Sequence, residues 1–123
     1  MGIDVYLKWK GMSENERKKQ FTGFDITKGN VGYLREAYHG EPYATKVLIS
    51  EDWDSQPDEG FKIPNKTLVE RLPEVIKAAI ERGKIYGEIL TKSSPAVKSY
   101  IDFIELHGKL EAAGKKPTII ISY

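Results

Sequence analysis

The chain has no cysteine, which excludes disulfides, a thiolate nucleophile and cysteine-ligated zinc or iron–sulfur centres. Histidine is almost as scarce, with only His39 and His107, and the two are too far apart in sequence to form a metal-ligand motif on their own. The sequence also lacks the GxxxxGK[ST] phosphate loop, GxGxxG, the GxSxG nucleophile elbow and HExxH. We therefore expect no metal and no cofactor. Asp52 and Asp54 have calcium-loop spacing, but Pro57 stands where the loop needs glycine and Ile63 where it needs glutamate.

Long apolar runs are missing too, and none approaches the length needed to cross a bilayer. The opening MGIDVYLKWK carries Asp4 and Lys8 where an export signal needs unbroken apolar residues, and Tyr6 where N-terminal acylation needs a small hydroxyl residue, serine or threonine. Neither sign of charge dominates: 19 basic against 18 acidic residues leave a net charge of +1. No global field draws the chain to nucleic acid or anionic membrane. The basic cluster Lys8, Lys10, Arg17, Lys18 and Lys19 is diluted by Glu14 and Glu16 and reads as a solvated face. A cytoplasmic location is the expectation. Twelve Glu and fifteen Lys against two Gln give a thermophile-like composition.

What is present is a globular balance, 40% hydrophobic and 30% charged over 123 residues. A chain of this length buries roughly two-thirds of its unfolded surface in one core, so residues 1–123 are expected to form a single domain. Ile3, Val5, Leu7 and Trp9 alternate with Asp4, Tyr6 and Lys8, the period of a half-buried strand. SENERKKQ, residues 13–20, predicts a short exposed helix with Ser13 as N-cap and Glu16 three residues on. Residues 21–27 read as a second strand, 45–50 as a third, and 51–62 as a long acidic surface loop.

Thr67 with Glu70 predicts a capping box ahead of a helical stripe, Leu68, Leu72, Val75, Ile76, Ala79 and Ile80, that runs on to Tyr86 and Leu90. The same start accounts for the Asn65-Lys66-Thr67 sequon. Pro73 predicts a kink or restart. Ser94-Pro95 opens a second helix, which includes His107 one turn before Glu111, and Gly114 stops it. PTIIISY is apolar on both faces and suits a central strand. The sum is an α+β domain: a mixed, mainly antiparallel sheet of about four to five strands, with two long C-terminal helices on one face and a C-terminal central strand.

GYLREAYHGEPYAT, residues 32–45, concentrates the chemistry-bearing residues. As a strand it puts Arg35 and His39 on one face about 13 Å apart; as a helix it puts their Cβ atoms about 6 Å apart. Arginine offers a planar fork for a carboxylate or phosphate, histidine exchanges a proton near neutral pH, and tyrosines make apolar walls with polar tips. A bland packing role fits equally well: Tyr33, Tyr38 and Tyr43 under the sheet edge, Arg35 and Glu36 in surface pairs, Gly40 and Pro42 in a turn. Trp9 reads as core. Trp53, alone among acidic residues, reads as a lid, a partner anchor or a loop plug.

The stretches MGIDVYLKWKGM and GYLREAYHGEPYAT resemble the signature stretches of a small family of uncharacterised proteins of about this length. The similarity covers most of the chain and implies no activity or functional residues. Three readings stay open. One is a binding module in which Tyr33, Arg35, Tyr38, His39 and Tyr43 hold a small anionic ligand or an acidic segment of a protein partner. Another is a small hydrolase or lyase, with His39 as general acid/base, Arg35 as anion clamp, and Asp4, Glu36 or Asp25 orienting the histidine. The third is a homo-oligomer joined through the tyrosine-rich surface.

Overall fold

The structure, a computed structural model, describes residues 2–21, 28–38 and 40–123. Asp25, His39 and, apart from Phe21, the strand expected over 21–27 lie outside them. The described residues form a three-stranded antiparallel sheet in the order β2-β1-β3, with β1 spanning Gly2–Lys8, β2 Tyr33–Ala37 and β3 Thr118–Ser122. The helices are α1 (Glu14–Phe21), α2 (Ala44–Leu48), α3 (Asn65–Ile85) and α4 (Pro95–Ala112). The domain is α+β, as expected, but three strands replace four to five. None of the helices among the described residues is long and apolar enough to cross a membrane.

Strand β1 follows its alternation. Ile3, Val5 and Leu7 are buried in the core, whereas Asp4 and Tyr6 are half-buried on the opposite face. Helix α1 has the expected reciprocal cap: Ser13 N–H donates to Glu16 Oε1 at 2.9 Å, and Glu16 N–H to Ser13 Oγ at 3.1 Å. The last-turn Gln20 is buried, and its amide donates to the carbonyls of Leu7 and Val31 at 2.9 Å. That side chain pins α1 to β1 and the turn before β2.

The strand expected over 45–50 is instead the helix α2. Thr45, Val47 and Ile49 do alternate, but Ala44, Thr45, Leu48 and Ile49 are the buried set, and that spacing is helical. Helix α3 begins two residues before the expected Thr67 cap and runs through Pro73 without a restart. Pro73 and Val69 are exposed, so the Val69 carbonyl, which a proline N–H cannot reach, is left to water. The helix ends at Ile85, short of the expected Leu90. Its N-terminus is capped from α4, with Asn65 N–H donating to Glu111 Oε2 at 2.9 Å.

Strand β3 is an edge strand and β1 is central, which reverses the expectation for the isoleucine run. Ile119 and Ile121 face the core opposite Leu7 and Val5. The outer side of β3 is nevertheless occupied. Ile119 exchanges backbone hydrogen bonds with Phe61 at 2.8 and 2.9 Å. The Gln56 amide accepts Ile121 N–H at 2.7 Å and donates to its carbonyl at 3.1 Å. A strand covered in this way carries a central strand's composition without a fourth strand beside it. The core lies between the inner sheet face and the helices, with Leu68 and Val75 of α3 and Val97, Phe103 and Ile104 of α4 among its buried residues.

Candidate functional site

Strand alternation divides the segment 32–45 between two faces of the sheet. Tyr33 and Arg35 stand on the outer face beside Tyr6 and Asp4, their register partners on β1. Asp4 Oδ1 accepts from Tyr33 Oη at 2.6 Å and from Arg35 Nη1 at 2.9 Å. The Tyr6 and Tyr33 rings stack with centroids 5.3 Å apart. Burial and the neighbouring Asp4 both push the Tyr33 hydroxyl well above the ordinary tyrosine range, and the hydrogen bonds to Tyr33 and Asp4 raise Arg35 further. Arg35 and Asp4 thus form one charge-assisted pair.

Glu36 points the other way, into the core, where it is 6% exposed. Its Oε2 accepts Ala44 N–H at 2.9 Å, and its Oε1 accepts the Thr45 hydroxyl and Thr45 N–H. Arg82 Nη1 of α3 stands 3.8 Å from Oε2. Tyr100 of α4 is buried beside the same carboxylate, and its hydroxyl is pushed well above the ordinary range, first by burial and then by Glu36. One carboxylate therefore ties β2 to α2, α3 and α4. A carboxylate with this many fixed donors acts as a structural acceptor rather than a mobile general base.

Arg82 is the residue that sequence reasoning missed. It lies in the apolar stripe of α3 between Ala79 and Tyr86, and a cation inside such a stripe was the available signal. Its Nη1 donates to the carbonyls of Gly40 and Pro42 at 3.0 and 3.2 Å, and its Nη2 donates to the Ala37 carbonyl. The guanidinium lies over the Tyr43 ring, 4.7 Å from its centroid. Tyr43 closes the same loop, since its hydroxyl accepts Gly40 N–H at 2.9 Å. The Glu41–Pro42 peptide within this loop is cis.

A cleft of about 350 Å³ opens at the outer edge of β2, between Arg35 to Ala37 and the end of α3. Arg82, with a side chain only 11% exposed, lines it. Ala79, Leu90 and Ala96 supply an apolar wall, and Tyr86 and Glu88 complete the rim. The wall depends on a close approach: a Cβ on Gly83 would sit 2.6 Å from Leu90 Cδ1. The absence of a side chain at Gly83 lets the turn after α3 fold back onto the helix.

The structure thus distributes the expected ligand residues. Arg35 and Tyr33 join Asp4 on the outer face, and Tyr43 joins Arg82 behind the cleft. Tyr38 is exposed and lines a separate hollow beside Trp53. His39 lies outside the described residues. His107 is fully buried, with Nδ1 accepting from Asn65 Nδ2 at 3.2 Å, and burial lowers its pKa. No cluster of side chains able to hold a metal ion occurs among the described residues. No protein-family model, curated protein or solved structure matches this chain.

Proposed function

We propose that the chain is a cytoplasmic small-ligand binding module whose site is the cleft at the outer edge of β2, with Arg82 reading an anionic group on the ligand. The enclosed guanidinium carries this reading. Its position is set by the carbonyls of Ala37, Gly40 and Pro42, which leave its positive charge in place, and the Glu36 carboxylate 3.8 Å from Nη1 offsets that charge in part. No hydrogen bond from its Nε is present among the described residues. A concave site with an apolar wall and a pre-oriented polar group is the usual form of a small-molecule site. Arg35 contributes to the rim while paired with Asp4. The bonded states of Asp4 and Glu36 favour binding over catalysis.

The test is a thermal-shift screen against mono- and dicarboxylates and organic phosphates, repeated on Leu90→Trp, which fills the cleft, and Arg82→Gln. A ligand at a hundred times its dissociation constant stabilises by ~2.7 kcal/mol and raises the midpoint of a domain this size by several degrees, on the order of ten. Loss of that shift in both variants, with the fold intact, is the expected outcome. A shift that survives Leu90→Trp places the ligand elsewhere and overturns the proposal, as does a panel in which no anion binds.

A further inference from the structure

A second hollow, of about 430 Å³, lies on the far side of α2, with Tyr38, Lys46, Trp53, Tyr123, Asp52 and Asp54 on its walls. The Trp53 and Tyr123 rings meet at 56° with centroids 5.3 Å apart, forming an aromatic corner. The indole is locked in place because Trp53 Nε1 donates to the Ile49 carbonyl at 2.6 Å. An internal cation already uses one of these rings: Lys46 Nζ sits 5.8 Å from the Trp53 centroid and 5.1 Å from that of the neighbouring Tyr43. Both distances fall within the roughly 6 Å reach of cation–π attraction.

The charge balance has the same sign. Glu51 is bound by Arg71 through two hydrogen bonds of 2.9 Å and contributes no net charge. Among the described residues that line the hollow, that leaves Asp52 and Asp54 with Lys46, two negative charges against one positive. Asp54 Oδ1 accepts the Tyr123 hydroxyl at 3.0 Å, and Asp52 holds Asp54 N–H and the Ser55 hydroxyl. Both carboxylates are thereby fixed at the rim. A primary ammonium such as that of Lys46 is strongly hydrated and, being exposed, is held only weakly. An alkylated ammonium loses little hydration on entering an aromatic corner.

We infer that this hollow is a recognition site for an alkylated ammonium group, seated against Trp53 and Tyr123 and balanced by Asp52 and Asp54, with Lys46 as the resident competitor. The site is separate from the β2 cleft and stands or falls independently of it. Competition gives it an unusual signature. Removing a positive charge from the exposed Lys46, a change that leaves the core untouched, strengthens binding of a cation and weakens binding of an anion.

The test is calorimetric titration of the whole chain with choline, with its neutral carbon isostere 3,3-dimethylbutan-1-ol and with a blocked tetrapeptide bearing trimethyllysine. Quenching of Trp53 fluorescence provides a second readout, since Trp9, the other tryptophan, is buried. Choline is expected to bind saturably and about tenfold more tightly than the isostere. Lys46→Met is expected to tighten it several-fold, and Asp52→Asn with Asp54→Asn to weaken it by a similar factor. Tighter binding of choline than of the peptide supports a free small cation as the source, and the reverse supports a partner's modified side chain. Equal affinity for choline and the isostere overturns the inference, as does failure of both cations to bind Lys46→Met.

Discussion

The Thr45 hydroxyl and the Thr45 N–H both donate to Glu36 Oε1, at 2.5 and 3.1 Å, so a side chain on β2 sets where α2 begins. The first amides of a helix have no partner within it and must find one elsewhere. Here the partner comes from a strand residue nine positions before Thr45, inside the core.

Glu36→Ala is expected to destabilise the fold by about 3–5 kcal/mol, because it strands the buried Arg82 charge and the α2 amides together. Thr45→Val removes one buried donor and is expected to cost less, about 1–3 kcal/mol. Urea unfolding of both variants measures the difference. Equal losses would show that the hydroxyl, and not the carboxylate's wider set of contacts, dominates.

On the outer face, Asp4→Asn and Tyr33→Phe are expected to be coupled. The 2.6 Å contact between them involves a carboxylate acceptor, and such bonds contribute about 1.5–3 kcal/mol. A double-mutant cycle should return a coupling of about that size. Additive losses would mean that Asp4 serves Arg35 alone.

His107 gives a pH dependence with a definite sign. Burial lowers its pKa below 6.5, while Glu111 and the Ile63 backbone oppose the shift. Below about pH 6.5 the unfolded chain takes up a proton that the folded chain resists. The contribution is complete above that pH and is lost as the pH falls toward the folded value. Urea midpoints between about pH 7.5 and 5.5 should decline in the parent and flatten in His107→Gln. A parent profile that rises on acidification would refute the assignment.

Gly83→Ala tests the floor of the β2 cleft. The new methyl would meet Leu90 at 2.6 Å, so the turn after α3 must move. The expected cost is about 1–3 kcal/mol, together with loss of any ligand-induced thermal shift. A variant that melts and binds like the parent would show that Leu90 swings aside freely.

Features that depend on neighbouring residues were readable in the sequence, and those supplied from a distance were not. Ile3 to Trp9, the Ser13–Glu16 cap and the Ser94-Pro95 start each contain their own determinants. Helix α2 does not, because its N-terminal acceptor belongs to Glu36. The same limit applies to α3, whose cap is Glu111 of α4. In the segment 32–45 the residue types were noticed, but β-alternation sends Arg35 and Glu36 to opposite faces. Only the pairing with β1 and the position of Arg82 show what each one meets.

Gln56 imitates the backbone of a neighbouring strand at Ile121, with one acceptor and one donor. An apolar isoleucine strand with an open edge is a template on which another chain can add by backbone pairing, the first step toward amyloid-like assembly. By filling that position with a single side chain, and the position two residues earlier with Phe61, the molecule terminates its own sheet. Protection of this edge therefore rests on the Gln56 amide and the Phe61 backbone together, and Gln56 is held beside the second hollow, where its N–H donates to the Trp53 carbonyl at 3.2 Å.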